Sequence, residues 1–194
     1  MESSSFEYWL PLATDGDSQA RFNLGKIFSC GLCVDQDYER AMYWFQLAAE
    51  QGHDDSQFNL GWLYHLGLCG YKDIQKASEW YLKAAEQGHA EAQFHLGRLY
   101  AFSDLRNDGL AVQWFLCAAK QGHNSAQFKL GWMYHLGLGV DKNDKQAFHW
   151  LILAAEQGHA GAQASLGEMY KHGWGVEQDD AGAQKWFSRA RLIP

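Results

Sequence analysis

An all-α array of two-helix repeats is the fold class this sequence predicts, on three observations. The tripeptide Gln-Gly-His recurs at Gln51-Gly52-His53, Gln87-Gly88-His89, Gln121-Gly122-His123 and Gln157-Gly158-His159, at spacings of 36, 34 and 36 residues. A Leu-Gly pair recurs at Leu24-Gly25, Leu60-Gly61, Leu96-Gly97, Leu130-Gly131 and Leu166-Gly167, followed three residues on by Phe28, Tyr64, Tyr100, Tyr134 or Tyr170. Further along stand Trp44, Trp80, Trp114, Trp150 and Trp186, each with alanine three residues before it. A fixed period of this length is the signature of stacked helical units that share a core, not of one globular core.

The units run 17-52, 53-88, 89-122, 123-158 and 159-194, and residues 1-16 read as a degenerate capping helix, a remnant second helix one period upstream. No linker divides them, so one elongated domain, 1-194, is expected. Pro11 is expected to mark the first turn of the capping helix or to kink it, since it lacks an amide hydrogen. In the first helix of a unit, Ala20, Leu24, Ile27 and Phe28 fall at i, i+4, i+7 and i+8, one buried face. In the second, Ala41, Trp44, Phe45, Ala48 and Ala49 form the apolar stripe, and Cys117 falls in the same stripe of unit three. The glycine inside every first helix costs about 1 kcal/mol relative to alanine. Its recurrence therefore calls for a bulky group against the backbone, and the recurring tryptophan is the expected one.

The helices are joined by glycine turns, Gly137-Leu138-Gly139-Val140 and Gly173-Trp174-Gly175-Val176, where positive φ reverses the chain tightly. Gly52 and its equivalents stand where a left-handed residue ends a helix. The residue after each, Asp17 or a histidine, is placed to cap the next helix. Such a histidine prefers to be neutral, because a helix N-terminus disfavours positive charge.

Ala126 to Tyr134, then Gly137 to Val140, Ala147, Trp150 and Ala154 to Gly158, resembles the Sel1-like repeat, a relative of the tetratricopeptide repeat. The resemblance implies a right-handed α-solenoid of about five helix-turn-helix repeats with a degenerate N-terminal half-repeat. It also implies a protein-binding adaptor or scaffold, often in bacterial signalling, envelope or host-interaction settings. It carries no catalytic motif. Unit three departs from the pattern, because two residues are missing between Tyr100 and Trp114 and Ser103 to Gly109 replace the glycine turn. A local irregularity is expected there.

The formal charge of −7 and the lack of lysine or arginine clusters argue against nucleic acid. No stretch reaches the ~20 apolar residues that span a bilayer, so direct membrane insertion is not expected. Met1-Glu2-Ser3-Ser4-Ser5 lacks the features of a secretory signal, which makes cytoplasmic the expected location. Some secreted relatives carry a helix-to-helix disulfide in each repeat, whereas Cys30, Cys33, Cys69 and Cys117 do not recur in pairs, so reduced thiols are expected.

With Leu60 facing inward, Phe58, Trp62 and His65 cluster on the other side of the first helix, and Phe128, Trp132 and His135 repeat the cluster. By the resemblance these positions line a concave groove. Phe58, Trp62, His65, Phe94, Arg98, Phe128, Trp132 and His135 then form a surface for a protein or peptide, with Asn59 and Lys129 at its edge. Aromatics and arginine are the side chains that dominate binding hot spots. The bland alternative is that the phenylalanines belong to the repeat pattern and pack on the neighbouring unit. The histidines after glycine recur a whole repeat apart, without convergent ligands, so capping is expected and a metal site is not. Cys30-Gly31-Leu32-Cys33 has CxxC spacing but stands alone. With no GxSxG, HExxH, SxxK or complete phosphate loop, the chain reads as non-enzymatic and needs no cofactor. The other readings are a structural or envelope-associated self-assembling module and, behind it, a β-lactam-binding or hydrolysing enzyme. A monomer or weak homo-oligomer is expected, and Phe187, Leu192 and Ile193 at the end of the last helix offer a surface for stacking on another copy.

Overall fold

The computed structural model describes residues 6–191, so Leu192 and Ile193 lie outside the described residues. Among these residues the structure is all-α, a solenoid fold of eleven helices without a strand. The capping helix is α1 (Phe6–Thr14). The repeats are α2 (Ser18–Cys30) with α3 (Tyr38–Ala49), α4 (Asp54–Leu66) with α5 (Ile74–Glu86), α6 (Ala90–Phe102) with α7 (Asp108–Lys120), α8 (Asn124–Leu136) with α9 (Asp144–Glu156), and α10 (Ala160–His172) with α11 (Asp180–Arg191). Two compact units are present, one up to Ala92 and one from Gln93 onward.

In the first unit α1 packs on α2, α2 on α3, α3 on α4 and α4 on α5. Pro11 sits inside α1 and not in its first turn, and Ala13 of the same helix is fully buried. In the second unit α7 packs on α8, α8 on α9, α9 on α10 and α10 on α11.

Each first helix starts on a cap, and all but α6 end on a glycine. Asp17, His53, His123 and His159 are N-caps whose side chains accept the amide of the residue three further on. Gly31, Gly67, Gly137 and Gly173 close the other end in the left-handed region. The carbonyl of the aromatic in each first helix then receives the amide that opens the second helix: Asp37 to Phe28, Asp73 to Tyr64, Asn107 to Tyr100, Asn143 to Tyr134 and Asp179 to Tyr170. Repeat three keeps this bond, at 2.7 Å, although its turn is two residues shorter. There the Ser103 hydroxyl donates to the Leu99 carbonyl and accepts the Leu105 amide, doing the work of the missing glycines.

The group lying on the internal glycine is not the tryptophan but the residue after it. A Cβ on Gly61 would come within 2.7 Å of the Tyr81 ring, one on Gly97 within 2.8 Å of Phe115, and one on Gly131 within 2.7 Å of Leu151 Cγ. Successive residues of a helix point about 100° apart, so the second helix splits its two large side chains between two tasks. Phe45, Tyr81, Phe115 and Leu151 are buried against their own first helix. Trp150 instead joins Ala101, Phe115 and Met133, and Trp186 joins Ala147, Leu151 and Met169, so the tryptophan packs toward the preceding repeat. Cys117 is exposed and not part of the stripe, because the large residues Trp114 and Phe115 and the pair Ala118 and Ala119 already define the inner face.

Gly131→Ala separates the two terms. Helix propensity favours alanine by about 1 kcal/mol, whereas overpacking costs about 1–3 kcal/mol. The neighbouring Leu151 atom is a branch carbon, and the Ala147 carbonyl stands 3.2 Å away, so the added methyl has no flexible tip to push aside. A net loss of up to about 2 kcal/mol is expected by urea denaturation; a midpoint raised by the full helix-propensity gain would show that the close approach is not needed.

Candidate functional site

The phenylalanines of the expected surface serve the joint between repeats. Phe22 stacks on His53 at 4.8 Å between ring centroids, Phe58 on His89 at 4.9 Å, Phe94 on His123 at 4.5 Å and Phe128 on His159 at 4.4 Å. Each histidine therefore caps the helix it opens and roofs a ring of the repeat before it. Its Nδ1 accepts the amide of Ser56, Ala92, Ala126 or Ala162, which requires that nitrogen to be unprotonated. Nε2 is left for other partners, such as Gln19 Oε1 for His53 and Asp55 Oδ1 for His89. Burial holds the His159 imidazole below the ordinary histidine value, and the nearby Lys129 charge pushes the same way. Among the described residues His53, Asp54 and Asp55 bring three metal-capable atoms within 4.8 Å, but both ring nitrogens of His53 already have partners.

From Gln93 onward, Trp132 is the centre of the candidate site. It stands on the outward face of α8, is 41% exposed, and forms a wall of two pockets of about 410 Å³ each. The first pocket lies toward repeat three and is lined by Phe102, Phe115, Lys129, Met133 and Leu138, with Arg106 and Asp108 from the shortened turn. The second lies toward repeat five and is lined by His135, Leu151, Glu168, Met169, Trp174 and Phe187. Phe128 contributes to both. Phe187, expected at a self-stacking end, is turned onto Gly167 and into this second pocket.

The polar groups of the second pocket are fixed by side chains around them. His135 Nδ1 is 2.6 Å from Asp144 Oδ1, and its ring lies 4.9 Å from that of Trp174. His172 also stacks on Trp174, at 4.7 Å, and reaches Glu168 at 3.3 Å. Rotamers held in this way lose less freedom on binding.

The first unit presents the related cluster differently. Trp62 is half-buried and packs against the cluster built on Phe45, Leu60 and Leu63. His65 lies 3.5 Å from the Tyr81 hydroxyl, because Ile74 and Tyr81 stand where repeat four has Asp144 and Leu151. Arg98 holds the Trp132 register position in repeat three, is exposed, and reaches over Phe94 at 5.7 Å. Asn59 turns back to the Asp55 carbonyl.

Sequence reasoning passed over Phe102, Leu138, Glu168 and Trp174, which complete the pocket walls. Trp174 carried a signal, being the only tryptophan within a glycine turn. Glu168 occupies the Trp132 register position one repeat on. The buried Gln57, Gln93, Gln127 and Gln163 were likewise passed over, although each directly precedes the recurring Phe or its equivalent.

Helical repeats joined by a histidine stacked on the preceding repeat's phenylalanine, with a pocketed outer face, define a helical-repeat class of protein. The Sel1 repeat matches residues 18–53, 54–89, 90–123, 124–159 and 160–191. The chain belongs to the Sel1 repeat family. It is similar to a Sel1 repeat protein of Oxalobacter formigenes, with 34% identity over 93% of this chain and 75% of that one and a TM-score of 0.87. It is also similar to c5321, a protective antigen present in uropathogenic Escherichia coli strains, with 35% identity over 95% of this chain and a TM-score of 0.58. There it spans 48% of the antigen's length. The immunity protein Pa5087 of Pseudomonas aeruginosa shares the fold at 21% identity, over 96% of this chain and 72% of that one, with a TM-score of 0.56. No curated protein matches the chain. Among the described residues no helix is long and apolar enough to cross a membrane.

The neutral cap at His159 has a pH consequence. Its folded pKa is depressed, so the unfolded chain takes up a proton first as pH falls below about 6.5. Stability present above that value is lost below it. His159→Asn keeps a capping side chain but does not titrate. Urea midpoints at about pH 7.5 and about pH 5.5 are expected to differ more in the wild type than in this variant; equal differences would show that His159 does not contribute.

Proposed function

We propose that this protein is a non-catalytic binding module that accepts a peptide segment of another protein on the outer face of its first helices. The observation that carries the reading is Trp132, a large ring left 41% exposed between two pockets of about 410 Å³ each. A ring in that position gives an incoming chain a ridge to straddle and a place for one apolar side chain on either side. Buried aromatics at the centre of a contact supply most of its energy, while the rim excludes water. Leu136 and Phe102, 53% and 69% exposed, extend the apolar surface around the first pocket. Exposed apolar side chains gathered around a pocket mark interaction sites more often than chance exposure does. Membership of a repeat family in which scaffolding is common supports the same reading.

Panning a displayed random-peptide library on the wild type and on Trp132→Ala tests the proposal. Peptides enriched on the wild type are expected to lose at least roughly 30-fold in affinity for the variant, about 2 kcal/mol for a hot-spot tryptophan, while the far-ultraviolet circular dichroism stays the same. Enrichment of the same peptides on both proteins, or on neither, would refute the use of this face.

A further inference from the structure

The charges left uncompensated around Trp132 have opposite sign on its two sides. In the first pocket Arg106 is committed, with Nε and an amino nitrogen 3.2 and 3.1 Å from the Asp108 carboxylate. Lys129 makes no ion pair among the described residues. Its ammonium instead lies 5.1 Å from the centre of the Phe102 ring and 5.7 Å from that of Phe128. Arg98, one repeat before Trp132 in the same register, adds an exposed cation on α6. On the other side Asp144 is committed to His135 at 2.6 Å and to Lys142 at 3.7 Å. Among the described residues Glu168 pairs only with His172, at 3.3 Å, and a histidine neutralises a carboxylate only when protonated. The Glu168 side chain is 47% exposed, so it faces an incoming chain.

Resting on the peptide-docking reading above, we infer that the partner segment is of mixed charge: two apolar side chains straddle Trp132, an acidic group meets Lys129, and a basic group meets Glu168. The net charge of −7 points to a uniformly basic partner instead. Screening decides between the two. At physiological salt a charge acts over about 8 Å, so a docked group responds to the cation or carboxylate beside it more than to the sum over the chain. The net charge then affects the rate of encounter and the local pattern selects the partner.

The probe is a set of short synthetic peptides with two leucines at varied separation, flanked by aspartate and lysine, by aspartate alone or by lysine alone. Binding is read by tryptophan fluorescence and calorimetry at physiological salt. The mixed peptide is expected to bind the wild type roughly 5-fold more tightly than either uniform one, the scale of one exposed ion pair. Lys129→Glu is expected to turn the preference to the lysine-flanked peptide, and Glu168→Lys to the aspartate-flanked one. Equal binding of all three peptides, abolished by Trp132→Ala, overturns the charge inference and leaves the docking reading standing. Tightest binding of the lysine-flanked peptide to the wild type also overturns it, in favour of the net charge. No binding of any peptide overturns both.

Discussion

Second helices depend on the following repeat to finish their C-terminal ends. A helix leaves its first amides and last carbonyls without internal partners; here the histidine of the tripeptide meets the first amides of the helix it opens, and a glutamine of that helix reaches back to the last carbonyls of the one before. The Gln87 amide donates to the Gly52 carbonyl and to Gln57 Oε1, and Gln121 and Gln157 reach Gln93 and Gln127 in the same way at 2.8 Å. Gln57, Gln127 and Gln163 in turn donate to the carbonyls of Ala49, Ala119 and Ala155 at the end of the preceding second helix. A buried amide without these partners would cost about 1–3 kcal/mol. The glycine of the tripeptide lets the chain turn, and the histidine caps the next helix while lying on the previous repeat's phenylalanine. One tripeptide thus sets the register between repeats, which explains why it recurs almost unchanged where other positions drift.

A second constraint acts within the repeat. The internal glycine admits Phe45, Tyr81, Phe115 or Leu151 against the backbone of the first helix, fixing how closely the two helices approach. Leucine replaces an aromatic ring in repeat four without a change of role, so the site selects bulk and not aromaticity. The tryptophan one residue earlier is then free to fill the space toward the preceding repeat. Helix ends and helix spacing are both satisfied from the inner and edge faces, and the outer face of the first helix has no part in either.

This division accounts for what could be read in the sequence. Periodicity revealed the repeats, the caps and the glycine turns, because those depend on local chemistry that recurs at fixed spacing. Assigning the tryptophan to the glycine failed, since two adjacent large residues share one helical stripe and spacing does not say which of them faces its own repeat. Phe58, Phe94 and Phe128 looked like surface residues by helical angle. Their stacking on His89, His123 and His159 needs the following repeat in place, which no single-helix pattern contains. The pocket walls were least legible. Phe102, Leu138 and Trp174 come from helix ends and turns, where side-chain direction follows the turn geometry and not a helical period.

Comparison along one register position shows where selection by a ligand can operate. Lys26, Trp62, Arg98, Trp132 and Glu168 are equivalent by repeat, yet they include two cations, two indoles and a carboxylate. No packing requirement is met by all five, and the neighbouring inward positions Leu24, Leu60, Leu96, Leu130 and Leu166 do not vary at all. Apart from Trp62, which packs on the core of the first unit, the row has little structural duty, so changes there cost the fold little. Substitutions along the row can then alter what the surface binds while the repeats stay in place. That separation gives a repeat protein a route to new partners that a single globular core, where outer and inner residues share the same packing, does not have.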